Sequence, residues 1–314
     1  MEIKTHYRKI SKIKNEIKKN AEINVNDKNL KLFTQALLND EKSIKIAFSF
    51  NGNDYEDEYD QYDMIDRCLI SQYGLVSQFI KSPSQETYNQ LLNAYFLKII
   101  YFIAEKNYQK NTQNGFDTDR TLSLIFAMAY CDNSIQGEMM KVLEYYKDHQ
   151  GDNYEEDEED EDNDFYGTKT ILPLAYHFYQ QDPNNKPWSF DLTGITDNKG
   201  KSVKADIMAN MTSLYQKAIE FLYTDNMELF KQIVDELCQY HLDNSKGDYL
   251  LEFNGNTAEY FPIEILFLLK KRVEKGLSIE GIHHILIDEF LPYFLDDFIM
   301  SDDNQIFLQR ALNP

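Results

Sequence analysis

Eight consecutive side chains, Glu155, Glu156, Asp157, Glu158, Glu159, Asp160, Glu161 and Asp162, are carboxylates, flanked by Asp152 and Asp164 with no lysine or arginine between them. A stretch without apolar residues has nothing to bury, so the chain must carry it through solvent and build its core on either side. Bounded by Gly151 and Gly167, residues 152–164 read as a mobile acidic loop inserted between two core helices. The rest of the chain shares the bias. Acidic residues outnumber basic ones 53 to 32, for a formal charge of −21. Such a surface repels nucleic acid and anionic lipid and attracts basic proteins, which restricts the class of partner more than it restricts the fold.

Charge imbalance of this size would suit a disordered chain, but 42% hydrophobic and 14% aromatic residues supply apolar surface for a packed one. At 314 residues a core can be buried without staples. Cys68, Cys131 and Cys238 are odd in number and far apart. They fit reduced, buried thiols better than a disulfide framework or a metal site, and so favour the cytoplasm. The basic N-terminal segment has no apolar stretch of the kind a secretion signal needs, and no later run is long enough without charge to span a bilayer. The expected location is therefore cytoplasmic, with no membrane contact.

Apolar residues recur at spacings of three and four over most of the chain, the period of helices packed on one face. Ile3, Tyr7, Ile10, Ile13 and Ile17 make a first amphipathic helix whose other faces are crowded with lysine and arginine. It reads as a helix packed on an acidic body in preference to a nucleic-acid or membrane arm. A short helix follows over 30–38. Residues 44–50 then alternate (Ile44, Ile46, Phe48, Phe50) as a strand does before the Asn51-Gly52 turn.

Residues 54–66 form a second acidic cluster in which Tyr55, Tyr59 and Tyr62 fall at helical spacing among Glu56, Asp57 and Glu58. A helix start suits those acids, because carboxylates favour the positive end of the macrodipole. The same residues also make an acidic and aromatic surface suited to gripping arginines. A long helix with Tyr88, Leu91, Leu92, Tyr95, Ile99, Phe102 and Ile103 on one face is announced by Ser82 as cap, Pro83 at the first position and Gln85 closing a capping box. Further helices are expected over 122–130, 135–147, from about 168, 203–223, 227–241, 263–273, 278–298 and 304–312. The loop at 181–202 holds the only tryptophan, Trp188, which either pins the loop to the core or anchors a partner.

These features predict an all-α protein, an irregular array of about ten or more helices with one small β element near residues 44–50. The expected division is an N-terminal helical region over 1–115 and a C-terminal one over 116–314.

The sequence carries no complete motif for catalysis or metal binding. Asp160, Asp162 and Asp164 open like a calcium loop, but Phe165 stands at the glycine position and Ile171 at the closing glutamate. His284 and Asp288 lie four apart beside His283 with nothing near to complete a metal shell, and His241 and His177 are isolated in the sequence. No nucleophile elbow or phosphate-binding glycine loop is present. Binding, without catalysis, cofactor or metal, is the expected role. The contact candidates are the acidic run 155–162, the segment carrying Tyr55, Glu56, Asp57, Glu58, Tyr59 and Tyr62, and Trp188.

In the C-terminal third, Tyr260-Phe261, then Glu264 opening an apolar helix, then Pro292-Tyr293 follow one another in an order that resembles the bacterial immunity proteins of PoNe-type DNase toxins. Glu259 replaces the glycine usual in that family, and Phe294 an aspartate. The resemblance implies an acidic, helical, cytoplasmic inhibitor whose cognate partner is a basic bacterial toxin. It gives Tyr260, Phe261, Glu264, Pro292 and Tyr293 a structural role. At the head of its helix, Glu264 is expected to accept hydrogen bonds from free backbone N–H groups. Two other classes compete: an enzyme whose carboxylates and histidines are dispersed in sequence, and an acidic DNA mimic that inhibits nucleic-acid enzymes.

Overall fold

A computed structural model describes residues 2–24, 28–50, 53–110, 118–148, 171–182, 214–245, 253 and 256–314. The described chain is mostly helical and has one small sheet, as the periodicity predicts. The acidic run 155–162 and Trp188 lie outside the described residues. The chain divides into two compact units, one made of residues 14–112 and 298–314, the other of residues 1–13 and 113–297. Helix α1 (Glu2–Asn24) supplies the start of both, and Ile10, Ile13, Ile17 and Ala21 along it are buried.

The first unit contains α2 (Lys28–Leu38), β1 (Ser43–Phe50), β2 (Asn53–Asp60), α3 (Gln61–Cys68), a single 3-10 turn (Leu69–Ser71), α4 (Gln72–Lys81), α5 (Gln85–Asn107) and, from the far end of the chain, α13 (Asp302–Leu312). Its axis is α5. Leu91, Leu92, Phe96, Ile99, Ile100 and Ile103 are fully buried there, and α4 and α13 pack along it. The cap of α5 is Ser84, not Ser82: the Ser84 hydroxyl accepts from the Thr87 N–H at 3.2 Å, and Thr87 Oγ1 accepts from the Ser84 N–H at 3.0 Å. The helix thus begins two residues later than expected, with threonine in the position a capping box usually gives to glutamate or glutamine. Asn93 fastens the C-terminal segment to this axis. Its Oδ1 accepts from the Ser301 N–H at 2.8 Å and from Asn304 Nδ2 at 2.9 Å, and its Nδ2 donates to the Ile299 carbonyl at 2.9 Å.

Residues 54–66 also depart from the helix that their spacing predicts. They do not form one helix: β2 pairs antiparallel with β1 in the register Ser43↔Asp60 to Phe50↔Asn53, and helix starts only at Gln61. Asp60 ends the strand and caps α3, its Oδ1 accepting from the Asp63 N–H at 2.9 Å while Asp63 Oδ2 accepts from the Asp60 N–H at 3.1 Å. The apolar alternation of β1 provides the partner that overrides the poor strand preference of the acids.

The second unit contains α6 (Thr118–Tyr130), α7 (Asn133–Asp148), α8 (Leu172–Gln181), α9 (Leu214–Phe221), α10 (Met227–Asp243), α11 (Asn256–Tyr260) and α12 (Ile263–Glu274). Helix α6 is buried over nearly its whole length, against α7, α8 and α12. The Asp132 carboxylate caps α7 by accepting from the N–H groups of Ser134 and Ile135. Arg272, near the end of α12, is buried with its guanidinium donating to the carbonyls of Leu222 (2.5 Å), Thr224 (2.9 Å) and Ser278 (2.8 Å) and lying 4.2 Å from the Phe230 ring centre. One cation thereby satisfies three carbonyls where helices have ended.

Residues 278–298 are not the helix that their apolar spacing predicts. They form successive turns in which Ile287, Phe290, Tyr293 and Asp296 each donate to the carbonyl three residues earlier. Two local effects compete with the helix: the Asp288 carboxylate and the His284 ring accept backbone N–H groups from His284 and Leu286, and Pro292 has no N–H to offer.

Candidate partner-binding hairpin

The two-stranded ribbon β1–β2 carries opposite chemistry on its two faces because successive side chains of a strand alternate. The register puts Ile44, Ile46 and Phe48 beside Tyr59, Asp57 and Tyr55 on one face. The other face combines Ser43, Lys45, Ala47 and Ser49 with Asp60, Glu58, Glu56 and Asp54. Residues 53–58 are all exposed. Phe48 and Tyr55 stack with ring centres 5.5 Å apart, yet remain 43% and 45% exposed, so their contact is with each other more than with a core.

The base of the ribbon is anchored. Tyr59 meets the edge of the Phe33 ring at 5.0 Å, and the Arg67 guanidinium lies 5.9 Å from its centre. Lys110 Nζ binds Asp60 Oδ2 at 2.9 Å and lies 5.0 Å over the Tyr62 ring. Burial raises the Asp60 pKa, but the Asp63 N–H and the Lys110 ammonium outweigh it and hold the carboxyl below its ordinary value. On the acidic face Lys45 is 3.8 Å from Glu56, Ser43 Oγ donates to Glu58 at 2.6 Å, and Ser49 Oγ donates to Asp54. Asp57 has no ion partner among the described residues.

The candidates of 54–66 are therefore split. Tyr55, Glu56, Asp57 and Glu58 are displayed on the strand, and Tyr59 is half-buried at its base. Tyr62 belongs to a different network: its hydroxyl donates to that of Tyr101 at 3.2 Å, which in turn donates to the buried Glu105 carboxylate at 3.3 Å. Burial pushes the Tyr62 and Tyr101 hydroxyls above their usual range. Tyr55 and Tyr59 do share a face, through the even spacing of a strand and not the helical turn that the sequence suggests.

Of the C-terminal residues, Tyr260, Phe261 and Glu264 are buried, with the Phe290 ring 5.3 Å from each aromatic; Pro292 is exposed and Tyr293 half-buried. Glu264 does not take the backbone N–H groups of its helix as expected. Its Oε1 lies 2.7 Å from His241 Nδ1, both side chains are fully buried, and Oε2 has no hydrogen-bond partner among the described residues. His241 Nε2 faces the Glu259 carbonyl at 3.1 Å, and Phe253 stacks 4.0 Å from its ring. The two contacts give each ring nitrogen a polar partner inside the core. Residues 23 apart on two helices give no local signal of such a pair, and His241 looks isolated in the sequence.

A shallow groove of about 720 Å³ runs beside α10, lined by Glu228, Lys231, Asp235 and His283 among others. Lys231 already pairs with Glu228 at 3.2 Å. Among the described residues no group of three histidines, cysteines, aspartates or glutamates is placed to hold a metal ion. No described helix is long and apolar enough to cross a membrane. The chain matches no protein-family model, no curated protein and no solved structure.

Proposed function

We propose that this chain is an immunity protein, a cytoplasmic inhibitor that binds a basic bacterial toxin of nuclease type and covers its substrate-binding face. The observation that carries the reading is the exposed strand β2, which places Asp54, Glu56, Asp57 and Glu58 in solvent on a chain of net charge −21. A nuclease must carry lysine and arginine where phosphate binds, so a dense, fixed array of carboxylates competes for that surface. Long-range attraction speeds the encounter, and a smaller patch with aromatic contacts sets the choice of partner. The Tyr260-Phe261, Glu264 and Pro292-Tyr293 resemblance points to the same class.

The test is co-expression with the product of the genomically adjacent gene. Growth should be restored in cells that make that toxin, and the purified pair should associate at low salt. Absence of binding at low salt, where electrostatic association is strongest, would sink the proposal.

A further inference from the structure

Sheet β1–β2 has only two strands, so one row of β2 backbone N–H and C=O groups has no strand beside it among the described residues. Two-stranded ribbons are marginal by themselves and gain stability from a third strand. The sequence of β2, Asn-Asp-Tyr-Glu-Asp-Glu-Tyr-Asp, works against its own conformation, since Asp, Asn and Glu are all depleted in strands. Asp54, Glu56, Glu58 and Asp60 line one face at intervals of about 6.7 Å, where like charges repel. From β1 they are offered a single cation, Lys45. A segment whose local preferences oppose its observed conformation, and which is exposed, has the character of a functional site.

The geometry points to strand addition: an extended cationic segment of the partner, alternating lysine or arginine with apolar residues, pairs with the free edge of β2. This deepens the inhibitor reading and rests on it. The cations of the added strand fall on the side of Glu56 and Glu58 and relieve their repulsion. Its apolar residues extend the face of Ile46, Phe48 and Tyr55. On that second face Asp57 can receive one arginine between the rings of Tyr55 and Tyr59. Backbone pairing then supplies affinity and the alternation of side chains supplies selectivity. A second copy of this chain does not suit the edge, because β2 against β2 sets carboxylates against carboxylates.

Three labelled octapeptides test this with the full chain at low salt, by fluorescence anisotropy: alternating lysine and valine, a block isomer with four lysines then four valines, and the alternating peptide with its backbone amides N-methylated. The alternating peptide should bind about tenfold tighter than the other two. Glu56→Gln with Glu58→Gln should weaken it about fivefold, while Glu220→Gln with Glu280→Gln, which removes the same charge from exposed sites in the other unit, should not. Isotope-edited infrared spectra of the bound peptide should show a strand signature. Strand addition is overturned if the alternating and block peptides bind alike, if methylation has no effect, or if the two pairs of substitutions act equally. Because methylation changes only the peptide, the test holds even if a variant folds poorly. None of those results touches the inhibitor reading, which stands or falls on association with the toxin.

Discussion

At the scale of single residues, the buried pair His241–Glu264 and the thiol of Cys68 carry the clearest consequences. Removing one member of this fully buried hydrogen-bonded pair leaves the other polar side chain without its partner. His241→Leu should therefore lower the unfolding free energy by about 1–3 kcal/mol in urea titrations, and adding Glu264→Leu to it should recover most of the loss. A double variant no more stable than the single one would mean that the two side chains are not coupled. Burial pushes the Cys68 thiol up to about 11 from an ordinary value of 9.0. A folded-state pKa above the unfolded one gives stability that is complete below pH 9 and is lost as pH rises from 9 through 11. The loss amounts to about 2–3 kcal/mol from this group alone. Cys131 and Cys238 are raised in the same direction, also by burial. Cys68→Ala should flatten part of the decline in stability between pH 9 and 11, as followed by urea midpoints, and an unchanged pH slope would count against the burial of the thiol.

At the scale of elements, helices were legible either from an apolar stripe at helical spacing, as in α10, or from a nearly continuous apolar run, as in α6 and α12. Three kinds of information were not local. A strand made of acids cannot be recognised by its own preferences, and β2 was misread because its conformation is imposed by β1. The alternation over 44–50 followed by Asn51-Gly52 did contain the missing signal, since a strand entering a tight turn needs a partner leaving it. The turns after residue 278 were hidden because side-chain acceptance by His284 and Asp288 looks, in sequence, like a polar helix face. Nor does anything in α13 announce that it joins a unit starting more than two hundred residues earlier. That last fact is testable. Ending the chain at Asp297 strips Phe307 and Leu308 from their buried sites and leaves Asn93 without Ser301 and Asn304. The loss of about 3–6 kcal/mol is comparable with the whole stability of a small domain. Hydrogen exchange should then speed up along α5, and intact protection there would show that α13 is dispensable.

At the scale of the whole molecule, the two densest acidic stretches are a strand with fixed geometry and a run of eight carboxylates with none of the apolar residues that a specific contact uses. The two should act on different rate constants. Attraction at a distance changes how often partners meet, whereas contacts made at short range change how long they stay. Deleting residues 155–162 removes eight negative charges but none of the hairpin. Association with the proposed basic partner should slow by roughly tenfold at low ionic strength and its salt dependence should become shallower, with the dissociation rate unchanged. Near physiological ionic strength, where screening acts over about 8 Å, the deletion should matter much less. Glu56→Gln with Glu58→Gln should do the reverse, raising the dissociation rate at every salt concentration and leaving the association rate nearly as it was. Surface plasmon resonance across a salt series separates the two behaviours. A faster dissociation caused by the deletion would place the acidic run in the contact itself, and the hairpin would then share, or lose, the role of specific site.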